Sequence, residues 1–215
     1  MRAIAALGWV IIGGSSLVAC GPALERTPAR AARSDASSAR AELPHWNVGD
    51  TWRYRGTTFD ARDNRFYKRV VRENEAASPP SYEIDTPQAI EYVDRQTLRP
   101  FRRREKATGS SKRALTHNPL WFPLDVAGRL STTISAPSGD PGEREPAVTI
   151  DCKVVSYEDV EVHAGAFAAF RINCETAGGF AEHWYAPSVK NLVKMRWFDK
   201  GNTFTAELWD YELAR

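Results

Sequence analysis

The sequence predicts an all-β body, a strongly curled antiparallel sheet or incomplete barrel of about ten short strands, preceded by a signal peptide and a disordered tether. From residue 45 onward, apolar and polar residues alternate through successive short runs, and Gly, Pro, Asn and Asp residues separate those runs. No run shows the sustained 3.6-residue period of an amphipathic helix. Because a flat open sheet would expose its edge strands, curling or closure is expected.

Residues 1–19 have the pattern of a secretory signal peptide. Arg2 precedes an apolar run, residues 4–18, that is too short and too interrupted by Gly and Ser for a membrane-spanning helix. The run ends in Leu17-Val18-Ala19-Cys20, which resembles the bacterial lipobox. The resemblance implies cleavage before Cys20 and acylation of its thiol. Because Gly21 rather than Asp follows, it also implies, for a Gram-negative host, anchoring in the outer membrane facing the periplasm. An ordinary signal peptide with an incidental cysteine is the alternative.

Residues 20–44 are interpreted as the lipidated N-terminus and a flexible tether. This segment is rich in Ala, Arg, Ser and Pro and offers almost nothing to bury. As a flexible coil it would reach about 25–30 Å from the membrane. Residues 45–215 then form a single all-β domain, which is long enough for a substantial core.

The charge balance argues against nucleic-acid binding. The chain has 29 basic and 27 acidic residues, a formal net charge of +2. Bulk electrostatic attraction to a phosphate backbone needs a clear basic excess, so we expect no nucleic-acid partner.

The first half of the body is predicted to form five strands. In the first, Trp52 and Tyr54 point inward while Arg53 and Arg55 point outward. The others are predicted over residues 66–72, 82–84, 89–93 and 98–104. Pro100 places the last of these at a sheet edge, and residues 108–113 read as a polar loop.

A hairpin is predicted over Ala147–Glu175, with the chain reversing at His163-Ala164-Gly165. Folding it about His163 pairs Cys152 with Cys174, Val154 with Ile172, and Ser156 with Phe170. Once Cys20 is lipidated, the two remaining cysteines of an exported chain favour one disulfide, and this register sets them directly opposite each other. Two buried thiols are the alternative.

The remaining strands follow the same alternation. They are predicted over residues 130–135, 181–186, 192–198 and 203–209, with Lys200-Gly201 as the turn of the terminal hairpin. Within that hairpin, Val193, Met195 and Trp197 are expected on one face.

With these strands placed, the body resembles the TapB-like group, a family of bacterial envelope lipoproteins of unknown function. The matching stretches are Val48-Gly49-Asp50-Thr51-Trp52, Trp121-Phe122-Pro123-Leu124, Val160 to Ala169, and Trp184 to Val189. His163 replaces the usual Pro, and Lys190-Asn191 the usual Gly, although Asn tolerates left-handed geometry. Envelope proteins with similarly curled sheets, of the LolA and LolB kind, carry lipid-like cargo on a concave apolar face, which is an analogy of fold alone.

No catalytic, cofactor or metal motif is evident, so a non-enzymatic protein without cofactor or metal is predicted. The histidines lack the spacing of zinc ligands; they are His45, His117, His163 and His183. Glu182-His183 is read either as a base in a pocket or as an ordinary strand-surface pair. A G-x-S-x-G nucleophile elbow is absent, and a hydrolase would need His163 or His183 beside a carboxylate and a hydroxyl in a cleft.

Two residue sets are candidates for binding. The first is Trp52, Trp121, Trp184 and Trp197, which supply either ordinary core or the walls of an apolar groove for a lipidic ligand. The second is Arg99, Arg102, Arg103, Arg104 and Lys106. These residues either contact anionic head groups or an acidic partner, or they are the solvent-exposed charges of an edge strand, which discourage sheet-to-sheet aggregation.

The sequence therefore favours a lipid-anchored, non-enzymatic envelope lipoprotein that binds a hydrophobic or lipidic ligand. The alternative is an accessory lipoprotein that docks another envelope protein through a strand edge or the basic residues.

Overall fold

The computed structural model describes residues 38–57, 63–113, 119–135, 147–176, 179–199 and 202–215. Within these ranges the protein contains strands, a 3-10 turn at Pro187–Val189 and no α-helix, so the all-β prediction is confirmed. The strands are β1 (Arg40–Ala41), β2 (Thr51–Thr57), β3 (Asp63–Asn74), β4 (Ser81–Asp85), β5 (Ala89–Asp94), β6 (Pro100–Glu105), β7 (Ser111–Arg113), β8 (Leu124–Asp125), β9 (Arg129–Ser135), β10 (Ala147–Val162), β11 (Gly165–Thr176), β12 (Gly179–Ala186), β13 (Asn191–Asp199) and β14 (Asn202–Glu212).

One antiparallel sheet contains 12 of these strands, in the order β7-β6-β5-β4-β3-β2-β14-β13-β12-β11-β10-β9. It consists of two meanders, β2 to β7 and β9 to β14, joined where β2 pairs with β14. The sheet is not closed, but it curls so that both meanders share one core, in which Ile84 and Val93 belong to the same cluster as Ile172 and Met195. Strands β1 and β8 form a separate two-stranded sheet, whose Ala41 and Leu124 belong to the same core cluster.

The alternation of inward and outward residues follows the sequence pattern. On β2, Trp52 and Tyr54 are buried while Arg53 and Arg55 are exposed. Every predicted strand is present among the described residues, and the three additional strands, β1, β7 and β8, are only two or three residues long. Strands this short carry too few residues for an alternation to be recognised.

The body begins before the predicted boundary at residue 45. Arg40 and Ala41 pair with Asp125 and Leu124 across the small sheet, and Ala41 is only 4% exposed. The last residues of the predicted tether are therefore part of the packed domain. Residues 1–37, with the lipobox and Cys20, lie outside the described residues, as do His117 and the Lys200-Gly201 turn.

Strand β6 is not the sheet edge that Pro100 predicted. Ser111–Arg113, expected in a loop, forms β7 and pairs with Arg102 to Arg104. Pro100 itself pairs with Val93 on β5, and β7 pairs only with Arg102 to Arg104. The missing N–H of Pro100 therefore costs no hydrogen bond to β7.

The β10–β11 hairpin carries the predicted disulfide, Cys152–Cys174, with the two Cα atoms 4.0 Å apart. Val154 pairs with Ile172 as predicted, but Ser156 pairs with Arg171 rather than Phe170, because a bulge lies between Val154 and Ser156. The turn contains only His163 and Ala164, since Val162 pairs with Gly165. The register set by the two-residue turn and the register set by the cysteine pair differ by one residue, and the bulge accommodates the extra residue.

A buried carboxylate joins three segments of the fold. Asp50 is 0% exposed, and its Oδ2 accepts a hydrogen bond from the Asn47 amide at 3.0 Å. Its Oδ1 accepts one from the Ala214 amide at 2.8 Å, and the Lys190 ammonium lies 3.5 Å from Oδ2. The carboxylate therefore fixes the turn before β2, the C-terminus and the turn before β13 together.

Candidate functional site: a cavity on the concave face

The concave face of the sheet contains a cavity of about 250 Å³, called here the concave-face cavity. Its walls are mainly apolar and include Trp46, Trp52, Phe66, Leu192, Met195 and Trp197, whereas its polar lining is Lys68, Glu91, Arg103, His183 and Asn191. Mainly apolar walls with a few polar groups are typical of small-molecule sites.

Two indole groups tie β2 and the turn before it to the segment that enters β13. The Trp52 Nε1–H donates to the Val189 carbonyl at 2.7 Å, and the Trp46 Nε1–H donates to the Lys190 carbonyl at 2.9 Å. The two indole rings are 5.3 Å apart at their centroids. Both donors are satisfied within the protein, so neither indole needs a polar contact from a ligand, and Trp52, which is 0% exposed, forms the back of the cavity wall.

The Tyr54 hydroxyl connects the same two regions. It donates to the Leu192 carbonyl at 2.9 Å, and burial raises the pKa of this phenol well above its ordinary value. Tyr54 therefore stays a neutral hydrogen-bond donor and holds β2 and β13 together.

Two of the cavity's charged residues neutralise each other. The Arg103 guanidinium lies 3.7 Å from the Glu91 carboxylate, and its Nε–H donates to Glu105 at 2.9 Å. Lys68 differs, because no carboxylate among the described residues forms an ion pair with it. Lys68 is directly paired with Trp52 across β2 and β3, which places it on the inward face.

Asn191 brings an unpartnered donor to the cavity. Its Oδ1 accepts a hydrogen bond from the Leu192 amide at 2.8 Å, whereas its Nδ2 is buried without a hydrogen-bond partner in the described structure. The residue is only 5% exposed. A buried donor left without a partner costs about 1–3 kcal/mol, so this amide is a natural contact for a ligand acceptor.

Glu182 and His183 do not act as a pair, because successive residues of β12 point to opposite faces. His183 is 3% exposed, lines the concave-face cavity and meets Trp197 edge-on at 5.8 Å. Glu182 is buried on the outer face, where it forms ion pairs with Arg171 and, at 3.0 Å, with Arg196. Both the pocket-base and the surface-pair interpretations are therefore corrected.

The four predicted groove tryptophans do not form one wall. Trp52 and Trp197 both line the concave-face cavity, but Trp121, although packed against the core, does not. Trp184 follows the inward His183 on β12, so it points to the outer face. The predicted groove is corrected to Trp52 and Trp197, joined by Trp46.

On the outer face, Trp184 belongs to a polar cluster. Its Nε1–H donates to the Glu158 carboxylate at 2.9 Å, and Ser156 donates to the same carboxylate at 2.7 Å. Desolvation favours the protonated acid, but these two hydrogen bonds and the Arg171 charge outweigh it and lower the pKa of Glu158. Glu158 therefore stays ionised and orients Trp184.

The lining residues that the sequence did not single out as candidates include Trp46, Lys68 and Asn191. A signal for Lys68 existed, because it shares its parity with Phe66 and Val70 on a predicted strand. Asn191 had no comparable signal. The left-handed residue of the turn before it is Lys190, with φ at 58°, and not Asn191, so the expectation about the turn is corrected.

A second, open concavity of about 560 Å³ lies between the hairpin turn and the outer face of β2 and β14. The His163 imidazole stacks flat on Trp209 with centroids 3.3 Å apart, and the Ala164 amide donates to the Leu208 carbonyl at 3.1 Å. Glu207 also lines this concavity, but its carboxylate lies 2.6 Å from the Lys194 ammonium. No hydrogen bond joins His163 to Glu207 in the described structure.

The predicted basic residues lie on both faces of the sheet and contact different partners. Arg103 points into the concave face, and Lys106 pairs with Asp85 at 2.6 Å. On the other face, the Arg102 guanidinium lies 3.8 Å from the Tyr92 ring centroid and directly opposes Arg113 on β7. Within the described residues, Arg99, Arg102 and Arg104 form no ion pair.

The described residues contain no helix that is long and apolar enough to cross a membrane. No group of three or more His, Cys, Asp and Glu side chains among them is arranged to hold a metal ion.

No protein-family model matches this sequence, and no curated protein matches it significantly. Its fold is similar to the crystal structure of a protein from Bacteroides fragilis NCTC 9343 that is described as exported, with a YmcC-like fold. The two share 15% identity over 80% of this chain and 99% of that chain, with a TM-score of 0.37. A similarity of this size carries no argument about function, so the function is argued from the residues of this chain.

Proposed function

We propose that this protein is a non-enzymatic, lipid-anchored lipoprotein of the cell envelope, similar to the TapB-like group, which binds a small hydrophobic ligand in the concave-face cavity. The observation that carries the proposal is a cavity of about 250 Å³ with aromatic walls contributed by both meanders. A smaller apolar cavity, about 150 Å³, is known to stay dry and to bind benzene. Burying an apolar ligand there gains about 25 cal/mol per Å² of apolar surface.

Filling the cavity is expected to abolish ligand binding. Met195 lines the cavity and is nearly buried, so Met195→Trp places an indole ring in the space that a ligand would occupy. We expect saturable binding of 1-octanol to the purified chain, followed by tryptophan fluorescence because Trp46, Trp52 and Trp197 line the site. Met195→Trp should weaken this binding at least tenfold, since most of the buried ligand area would be lost.

Met195→Leu is the matched control, because a swap of similar volume preserves both the packing and the cavity. It should bind 1-octanol within about twofold of the native chain, as the cavity walls stay apolar. If the native chain shows no saturable binding, or if folded Met195→Trp binds as well as Met195→Leu, the proposed ligand site is wrong.

The envelope location and the anchor rest on the lipobox resemblance of Leu17 to Cys20. Bacteria that express the chain and are fed a palmitate analogue should incorporate it into the native protein and not into Cys20→Ser. The native chain should also sediment with the membrane fraction, because dual acylation gives stable anchoring. Equal labelling of both chains would contradict lipidation at Cys20.

Docking of an acidic envelope partner is the second candidate function. It is favoured by Arg102, which directly opposes Arg113 across β6 and β7. Like charges in this arrangement repel each other unless an anion lies between them.

A further inference from the structure

We propose that the ligand of the concave-face cavity is an anionic amphiphile, whose carboxylate or phosphate head contacts Lys68 and Asn191 and whose apolar tail lies between Trp52 and Trp197. This inference deepens the proposed function and rests on it. It specifies the ligand chemistry, which the apolar walls by themselves leave open.

Lys68 is the first reason. An inward-facing lysine on the concave side of a sheet needs an anion nearby or access to water. Its direct partner across the strands is Trp52, whose ring is a cavity wall, and Lys68 itself lines the cavity. The carboxylate that lines the cavity, Glu91, is engaged with Arg103. Since the described residues give Lys68 no carboxylate, a ligand anion would complete this site.

Asn191 is the second, independent reason. Its Nδ2 is a hydrogen-bond donor that is buried and unpartnered, while its Oδ1 is fixed by the Leu192 amide. Because Oδ1 is held, Nδ2 is presented in one direction. A donor amide and an ammonium together select an acceptor that carries negative charge.

The two polar groups flank one aromatic wall. Trp52 pairs directly with Lys68, and its indole N–H binds the Val189 carbonyl, two residues before Asn191. Near Trp52 the apolar lining therefore includes one cationic group, the Lys68 ammonium, and one amide N–H donor, Asn191 Nδ2. Arg103 is engaged by both Glu91 and Glu105, so Lys68 is the cation of the lining that has no carboxylate partner among the described residues.

Octanoate and 1-octanol form the matched pair that tests this inference. Both have an eight-carbon chain, but near pH 7 only octanoate carries a charge, since carboxylic acids ionise near pH 4–5. The purified full chain is titrated with each compound, with calorimetry and tryptophan fluorescence as readouts, below the concentrations at which either compound aggregates. We expect octanoate to bind about tenfold more tightly than 1-octanol, the size of a charge-assisted hydrogen bond.

Two variants assign the selectivity to the named residues. Lys68→Met keeps the apolar stem and removes the ammonium, and Asn191→Asp keeps the Oδ1 acceptor but replaces the Nδ2 donor with an anionic oxygen. Each should weaken octanoate binding about tenfold and thereby bring the ratio of octanoate affinity to 1-octanol affinity close to one. Lys153→Met, at an exposed lysine outside the cavity, is the control and should change neither affinity.

The outcomes separate this inference from the proposed function. If both compounds bind with equal affinity, or if Lys68→Met retains the preference for octanoate, the anionic-head inference is wrong while the apolar site stands. If neither compound binds the native chain, both proposals fail. Should Asn191→Asp not fold, the Lys68→Met comparison alone decides.

Discussion

Replacing Asp50 by alanine is expected to lower the free energy of unfolding by roughly 3–5 kcal/mol, because it leaves buried donors without an acceptor. The Asn47 and Ala214 amides would lose their hydrogen bonds, and Lys190 would lose its counter-ion. For a domain of this size, the loss corresponds to a melting temperature lowered by roughly 6–20 °C. Thermal or urea unfolding followed by circular dichroism measures it.

Asp210→Ala is the matched control. Asp210 also forms an ion pair, with Arg53 at 2.7 Å, but the Asp210 side chain is 56% exposed. Exposed pairs contribute about 0–1 kcal/mol, so the melting temperature should change by no more than about 4 °C. Equal effects of the two substitutions would show that Asp50 does not join the three segments as described.

Reduction of the Cys152–Cys174 disulfide is expected to lower the free energy of unfolding by about 3 kcal/mol. The bridge closes a loop with a sequence separation of 22 residues. The chain-entropy model gives about 3 kcal/mol for a loop of that length, or roughly 6–12 °C in melting temperature. Melting curves with and without a phosphine reductant measure the difference.

The double variant Cys152→Ala/Cys174→Ala isolates the bridge from other effects of the reductant. Its melting temperature should lie close to that of the reduced native chain and should not respond to the reductant. A native chain whose melting temperature does not change on reduction, although free thiols are then titrated, would contradict this role of the disulfide.

The β10–β11 hairpin shows how far a sequence pattern can predict register. The pairing of Cys152 with Cys174 and of Val154 with Ile172 followed from alternation and the position of the turn. The bulge before Ser156 did not, because no local residue pattern marks it. It arises since the two-residue turn at His163 and Ala164 and the cysteine pair require registers that differ by one residue.

The lining of the concave-face cavity was less predictable from the sequence than the hairpin register, because it depends more on tertiary structure. Trp52 and Trp197 were predicted as inward residues, but that prediction could not exclude Trp184, whose neighbour His183 is the inward one. Asn191 lies at the start of β13, and its relation to Trp52 depends on hydrogen bonds between distant segments. Lys68 became a ligand candidate only when its pairing with Trp52 was known.

The amino-acid sequence by itself determined the all-β class, the inward faces of the main strands and the cysteine pairing. Each of these follows from the two-residue period of a strand and from nearby turns, which are local properties. Only the tertiary structure decided that β2 pairs with β14 and that the two meanders curl around one cavity. Those contacts join residues more than a hundred positions apart, and their geometry depends on the twist and bulges of all the intervening strands.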